Sequence, residues 1–184
     1  MSFSYCKTAP LSLVHSGYHE NEYGFVVKDE SLLFERLSLE IMQAGLSWET
    51  VLKKRKSLNL AFQNFDAHKV ASFSEKDVAR LLNDASIIRN KRKILAIIHN
   101  ASVILNMREE VSGFYNWLVS HKNNSKNRQE EILLWTKLFK KTFHFTGAEI
   151  VSEFLMSTGI ISGAHETWCP VYQRACEHNL KCQV

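Results

Sequence analysis

A carboxylate, an amide and an indole lie within one short stretch of the chain, at Glu40, Gln43 and Trp48. Two tyrosines, Tyr18 and Tyr23, lie upstream in a second short segment. Aromatic faces around a carboxylate bind a flat, electron-poor or cationic base. Stacking holds the ring, cation–π attraction favours its positive charge, and the carboxylate accepts a hydrogen bond from an exocyclic amine. Our working hypothesis is that these residues form the wall of a small aromatic pocket that reads a purine taken out of DNA.

An ordinary structural role stays open for each of these residues. A single Glu on an amphipathic helix usually faces solvent, and Tyr and Trp in a chain with 11% aromatic residues usually belong to the core. Local sequence alone does not decide between a base pocket and a plain helical packing surface.

A second candidate site uses cysteine and histidine. His165 and Cys169 lie at i and i+4, so both side chains would occupy one face of a helical turn. Cys6 and His19, near the start of the chain, could complete a Cys2His2 tetrahedron around Zn²⁺ and tie the two chain ends together. A competing set near the C-terminus consists of Cys176, His178 and Cys182. Unrelated residues in a reduced protein are the third interpretation.

The segment from Val78 to Ile98 has the length and the central helix break of a helix–hairpin–helix element. Such an element presents backbone N–H groups and cations to a DNA phosphate. Its cations are Arg89, Lys91, Arg92 and Lys93. The usual hairpin has glycines that let the backbone approach the phosphate closely, whereas Ser86 and Arg92 stand at the corresponding positions. An ordinary helical hairpin with a solvated basic turn is the alternative.

Helices must position all of these residues. Asp29 or Ser31, Ser47, Asp66 and Ser74 are candidate N-caps, each followed by apolar residues at spacings of three and four. The helix after Ser47 is expected to face Val51, Leu52 and Leu60 inward. Seven glycines, two prolines and the lack of a useful period-two strand favour an all-α fold.

Composition sets broad limits. With 184 residues, 45% of them hydrophobic and 23% charged, the chain is expected to be one globular domain or two small helical lobes with a shared core. A net charge of +4 permits a polyanionic partner without requiring one. No apolar run approaches the length of about 20 residues that spans a bilayer. We therefore expect no membrane partner and a cytoplasmic protein whose cysteines stay reduced.

Several motifs together resemble the bacterial DNA-3-methyladenine glycosylase I family, and the resemblance covers nearly the whole chain. The quoted blocks are Tyr18-His19-Glu20-Asn21-Glu22-Tyr23-Gly24, Leu39-Glu40 with Gln43-Ala44-Gly45-Leu46-Ser47-Trp48, Asp84-Ala85-Ser86-Ile87-Ile88-Arg89, and Phe143-x-Phe145-x-Gly147. The Q-A-G-L-S-W block is the most specific of these.

The resemblance implies a single glycosylase domain, residues 1–184, with a helix–hairpin–helix fold. Its two lobes would be roughly residues 30–110, and residues 1–29 with 111–184. The family's Cys-x12-His and His-x3-Cys zinc pattern falls on Cys6, His19, His165 and Cys169, which leaves Cys176 and Cys182 as free thiols.

The implied activity is hydrolysis of the N-glycosidic bond of 3-methyladenine in alkylated double-stranded DNA. The expected products are free 3-methyladenine and an abasic site, without strand cleavage. The base-reading, catalytic carboxylate falls on Glu40, and the base-binding residues are Tyr18, Tyr23, Gln43 and Trp48. Leu46 is the candidate for the side chain that fills the gap left by the flipped base, beside the four hairpin cations. We expect a monomer.

The chain departs from the family pattern at several positions. Thr8 and Tyr23 stand where the family has tryptophan, and Ser86 and Arg92 where it has hairpin glycines. These departures keep two alternatives open. One is a diverged member that binds DNA or a modified purine with weak or no hydrolysis, and the other is a glycosylase for a different alkylated purine.

Overall fold

The computed structural model describes residues 4–122 and 127–178, and within these ranges it contains helices and no strand. The all-α prediction is therefore confirmed. The helices are α1 (Tyr5–Thr8), α2 (Ser16–Asn21), α3 (Glu30–Gln43), α4 (Trp48–Ala61), α5 (Ala67–Ala71), α6 (Glu75–Asn83), α7 (Lys91–Val111), α8 (Phe114–Ser120), α9 (Arg128–Thr142), α10 (Ala148–Ser157) and α11 (Tyr172–His178). Short 3₁₀ turns follow α1 and α4, at Ala9–Leu11 and Gln63–Phe65.

The predicted N-caps account for where the helices begin. The Asp29 carboxylate accepts from the Leu32 N–H at 2.9 Å, and the Ser47 hydroxyl accepts from the Thr50 N–H at 3.2 Å. Asp66 caps α5, and Ser74 forms a capping box with Asp77. Each cap satisfies backbone donors that the first helical turn leaves without an intrahelical partner. Gly45, at φ +79°, ends α3 in the left-handed conformation that glycine tolerates best.

Beside a smaller cluster of Cys6, Cys169 and Val171, a main hydrophobic core runs through the molecule, with α3 packed against α4, α7, α8 and α10. Its largest fully buried side chains include Trp135, Phe34, Phe62, Phe114 and Phe154. This core joins residues of both predicted lobes, and the division into lobes stays a prediction. Among the described residues, no helix combines the length and the apolar character that crossing a membrane requires.

The expected inward orientation of Leu60 is wrong. Val51, Leu58 and Ala61 are buried on α4, whereas 66% of Leu60 is exposed. Leu60 follows Val51 by nine positions, and at about 100° per residue this places it on the opposite face of the helix. The apolar stripe therefore continues through Leu58 and Phe62 instead.

A partly buried ionic network ties the N-terminal segment to α3 and α4. Glu22 accepts from Arg36 and, at 2.9 Å, from Arg55, and Arg55 also donates to Glu35 at 2.8 Å. Next to it, Gly24 donates its N–H to the Ser157 carbonyl at 2.9 Å. Gly24 has φ +80°, and a Cβ there would lie 2.6 Å from the Ala164 Cβ, so this close approach requires glycine.

Candidate active site and metal centre

Four buried side chains from the two ends of the chain converge on one point: Cys6, His19, His165 and Cys169. Their ligand atoms all lie within 4.8 Å of one another. The Cys6 Sγ and the Cys169 Sγ lie 3.6 and 3.7 Å from His165 Nδ1, and the Cys169 Sγ lies 3.7 Å from His19 Nε2. This Cys2His2 group could hold a metal ion. The competing set does not form this cluster: Cys176 and His178 lie on α11, and Cys182 lies outside the described residues.

The surroundings of His165 orient it as a ligand. Its Nε2 lies 2.7 Å from the Tyr23 carbonyl oxygen, which can only accept, so Nε2 carries the proton and Nδ1 is left free for a metal. Burial lowers the pKa of both His19 and His165, which favours the neutral imidazole that binds metals.

The Cys2His2 group also positions one wall of the aromatic pocket. Tyr18 directly precedes His19 on α2, and His165 holds the backbone of Tyr23. The ring of Tyr23 lies 5.5 Å from that of His165 and 5.8 Å from that of Tyr18. The contacts that bring the two ends of the chain together therefore also position two tyrosines of the pocket.

The predicted pocket residues line one inner cavity of about 210 Å³. Its walls are Tyr5, Tyr18, Tyr23, Glu40, Gln43, Trp48 and Glu153. The rings of Tyr18 and Trp48 lie 5.3 Å apart, and the Arg36 guanidinium lies 4.6 Å from the centre of the Tyr18 ring. The structure therefore brings together all five predicted base-binding residues.

Glu40 is the buried carboxyl of this cavity, with 5% of its surface exposed. Burial raises the pKa of Glu40 to about 8, and repulsion from Glu153 adds to the rise, while the nearby Arg36 opposes it. The carboxyl is therefore protonated in the free protein at neutral pH. It can then both donate and accept a hydrogen bond, and an arriving positive charge would favour its ionised form.

Tyr5 and Glu153 are cavity residues that the sequence patterns did not reveal. The predicted altered position, Thr8, is exposed, and its hydroxyl donates to the Tyr5 carbonyl. The Tyr5 ring lies 5.3 Å from that of Tyr23, at 74° to it, so it supplies the aromatic face on that side. Glu153, on α10, carried no motif that marked it, although its place on a helix following Phe143-x-Phe145-x-Gly147 was a usable signal.

An outer groove of about 710 Å³ continues from the inner cavity and shares Glu40, Gln43 and Glu153 with it. The groove runs between the end of α3 and the start of α10, lined by residues 43–46 and 147–150. Leu46 lies at this groove with 42% of its surface exposed. A side chain at such a rim can reach a molecule that enters the cavity.

The basic turn before α7 has two kinds of cation. Arg89, Lys91 and Arg92 are exposed. Lys93 is only 4% exposed, and its ammonium donates to the Met42 and Ala44 carbonyls at 2.9 and 2.6 Å. This burial argues against the predicted DNA contact of Lys93, because its donors already satisfy the free carbonyls at the end of α3.

The two glycine replacements in this turn do not strain the backbone. Neither Ser86 nor Arg92 adopts a positive φ. Ser86 donates its N–H and its hydroxyl to the Asp84 carboxylate, at 2.8 and 2.6 Å. Lys54, from the basic run on α4, donates to the Ala85 and Ser86 carbonyls at 3.2 and 2.9 Å. The turn is therefore held by side chains of its own and of α4.

Comparison with known proteins adds an independent line of observation. The profile of the methyladenine glycosylase family matches residues 8–172. The chain is 37% identical to DNA-3-methyladenine glycosylase 1 of Escherichia coli K12, with 86% of this chain and 91% of that protein covered.

Two solved structures are similar to the fold. One is of 3-methyladenine DNA glycosylase I from Staphylococcus aureus, a study of its 3-methyladenine recognition (TM-score 0.79, 30% identity, 90% and 95% coverage). The other is of a 3-methyladenine DNA glycosylase I, carrying a single tyrosine-to-phenylalanine substitution, in complex with 3-methyladenine (TM-score 0.80, 29% identity, 92% and 97% coverage).

The site and the comparisons agree. An aromatic cavity with a buried carboxyl, open to a groove and braced by a Cys2His2 group, lies within the region that the family profile matches, apart from its first residues, Tyr5 and Cys6. The resemblance stated from the motifs is therefore confirmed: this chain belongs to the methyladenine glycosylase family.

Proposed function

We propose that this protein is a DNA glycosylase that hydrolyses the N-glycosidic bond of 3-methyladenine in alkylated double-stranded DNA. The observation that supports it most directly is the inner cavity, which combines stacking aromatic faces with the buried carboxyl of Glu40. The relatives named as DNA-3-methyladenine glycosylases support the same substrate.

In this proposal the cavity holds the extruded base. Tyr18, Tyr23 and Trp48 provide aromatic faces, Glu40 accepts from the exocyclic amine, and Gln43 supplies an amide at the mouth. Methylation at N3 leaves the base positively charged in DNA, so cation–π attraction and the Glu40 carboxyl favour it over uncharged adenine.

The chemical step needs little help from an acid. Water adds to the sugar C1′, the bond from C1′ to the base nitrogen breaks, and its electron pair neutralises the ring as the base departs. The proton of the water goes to solvent. The described residues that line the inner cavity include no lysine, which supports a water-using enzyme that leaves an abasic site without strand cleavage.

DNA would contact the protein at the groove and at the basic turn. Leu46 would fill the gap left by the extruded base. Arg89, Lys91 and Arg92, exposed at the N-terminus of α7, would contact phosphates in the manner of a helix–hairpin–helix element. For Lys93 we propose instead a positioning role, because it holds the carbonyls that precede Leu46.

Zn²⁺ is the metal we propose for the Cys2His2 group. Zinc bound tetrahedrally by thiolate and imidazole places neighbouring sulfur and nitrogen atoms about 3.6 Å apart. The observed sulfur–nitrogen distances of 3.6 and 3.7 Å fit that geometry. The group would be structural, since all four positions are taken by protein side chains. The monomeric state and the cytoplasmic location stay predictions.

The test is release of free base from duplex DNA treated with a methylating agent. We expect wild type to release 3-methyladenine, Glu40→Gln to lose most of that activity, and Glu109→Gln, an exposed acid on α7 outside the cavity and the groove, to retain it. The product strand should stay intact until alkali is added. If wild type at concentrations equal to the DNA released no 3-methyladenine, the proposed activity would be wrong, and a binding protein without hydrolysis would be the better description.

A further inference from the structure

A second carboxyl group, that of Glu153, faces the same cavity as Glu40. Glu153 lies on α10, is half-buried, and lines both the inner cavity and the outer groove. The Tyr23 hydroxyl donates to its Oε2 at 3.4 Å. Because α10 packs against α3, the two carboxyls approach the cavity from two different helices.

Glu153 differs from Glu22 and Glu35, two other acids that are partly or fully buried, in forming no ion pair among the described residues. Glu22 and Glu35 are each neutralised by Arg55, and Glu22 also by Arg36. In the described part of the chain, no nitrogen of Lys, Arg or His lies within 4.0 Å of either Glu40 or Glu153. A structural acid in a partly desolvated site normally has such a partner, so this pair has capacity for a positive charge.

The charge of Glu153 disfavours the charged form of Glu40. Burial raises the pKa of both carboxyls, and the charge of Glu153 adds to the rise at Glu40, whereas the Tyr23 hydroxyl and the charge of Arg128 oppose the rise in pKa at Glu153 itself. Like charges that share one low-dielectric site cost free energy, and a cation placed between them converts that cost into attraction. The surrounding aromatic faces favour a cation in the same direction.

We propose that Glu153 is a specificity-determining residue that, together with Glu40, makes the inner cavity select a positively charged alkylated purine over a neutral purine of the same shape. The inference rests on the proposed function, since it assumes that the cavity receives the damaged base. It adds that the charge of the base, as distinct from its outline, is read by a residue outside the motifs of the pocket.

A merely structural role for Glu153 makes a different prediction. If Glu153 only held the Tyr23 hydroxyl, Glu153→Gln would keep that hydrogen bond, because the amide oxygen still accepts it. Tyr23→Phe would then be the more harmful change. If Glu153 recognises the charge of the base, Glu153→Gln would be the more harmful change, because it removes the carboxylate charge whereas Tyr23→Phe leaves that charge in place.

The experiment measures binding of two small ligands by isothermal titration calorimetry at one mildly alkaline pH, at which the ring nitrogens of the second ligand are unprotonated. The first ligand is 3,9-dimethyladeninium, which is permanently cationic, and the second is its neutral 3-deaza isostere. We expect wild type to bind the cation at least about tenfold more tightly than the isostere. Glu153→Gln should weaken binding of the cation by about tenfold and change the affinity for the isostere by less than about twofold.

Two controls frame the result. Glu109→Gln makes the same chemical change at an exposed position of α7, outside both the inner cavity and the outer groove, and should affect neither ligand. Tyr23→Phe should keep the cation preference, and Glu153→Ser, a second uncharged replacement, takes the place of Glu153→Gln if that variant fails to fold. Equal weakening of both ligands by Glu153→Gln, no weakening of either, or loss of the preference in Tyr23→Phe alone would each overturn the inference. So would a wild-type protein without a preference for the cation.

This outcome is separable from that of the proposed function. A protein that prefers the cation but releases no base from methylated DNA would support the role of Glu153 and refute the hydrolytic activity. A protein that releases 3-methyladenine without a Glu153-dependent preference would do the reverse.

Discussion

Replacing Glu40 by Gln should stabilise the protein at alkaline pH while removing its activity. The carboxyl is buried, and its pKa rises from 4.5 to about 8 on folding. A raised acid pKa means that the folded state binds the proton more tightly than the unfolded state. The free energy of unfolding therefore falls as the pH rises from 4.5 to about 8, and the full loss is present above that window.

The size of the effect follows from the same values. At 1.36 kcal/mol for each pH unit, the raised pKa of Glu40 lowers the free energy of unfolding, relative to acidic pH, by about 3 kcal/mol at pH 7 and by about 5 kcal/mol above pH 8. Gln has nearly the same shape and no charge, so it escapes this cost.

The assay is urea unfolding of wild type and Glu40→Gln at about pH 6 and about pH 8.5, where the advantage of the variant should grow by about 2–3 kcal/mol. Comparing the two proteins at each pH cancels the titration of the metal ligands, which both contain. Glu149→Gln, an exposed acid, is the matched control and should show no pH-dependent difference. A difference that stays constant between the two pH values, or a variant less stable than wild type at the higher one, would refute the reasoning.

Three further predictions follow from the same structure. Cys169→Ser should lose about one bound metal ion per chain, as measured by elemental analysis. It should also weaken binding of free 3-methyladenine, because the Cys2His2 group positions Tyr18 and Tyr23. A wild-type protein that is folded without metal would contradict this prediction. Lys93→Met should lower the free energy of unfolding by about 1–3 kcal/mol, because two buried carbonyls lose their donor, whereas the exposed Lys91→Met should change it by less than about 0.5 kcal/mol. Equal effects of these two substitutions on urea unfolding would argue against the buried contact. Arg92→Ala should weaken duplex binding at low salt irrespective of sequence and reduce the slope of log affinity against log salt by about 1, with no such change in an exposed lysine elsewhere.

The helix boundaries were accessible from sequence because they depend on neighbours along the chain. A capping side chain reaches a backbone N–H two or three residues later, as Asp29, Ser47 and Asp66 do. Where the prediction failed, at Leu60, the helical period itself excludes the inward orientation. That error came from counting an apolar residue by type without following its angle around the helix.

The Cys2His2 group depends on local spacing and also on how the two ends of the chain meet. The spacing of His165 and Cys169 is a local pattern, but its combination with Cys6 and His19 depends on how the chain ends meet. From spacing alone a competing C-terminal set stayed open, and the family resemblance was needed to choose between them. The structure places the four ligand atoms within 4.8 Å of one another, which no local rule specifies.

What the sequence determined by itself is therefore the helical class, the caps, and the residues of the motif blocks, including Glu40, Trp48 and the two ligand pairs. The tertiary structure decided which other residues share their cavity. Tyr5 supplies an aromatic face of the cavity, which the replacement at Thr8 was expected to alter. The ammonium of Lys93, expected at the surface, donates to a carbonyl at the end of α3. Glu153 accepts a hydrogen bond from Tyr23, which lies 130 residues earlier in the chain. The physical reason is that capping and helical periodicity act over a few residues. The walls of a cavity and the charges they present depend on which helix faces pack together.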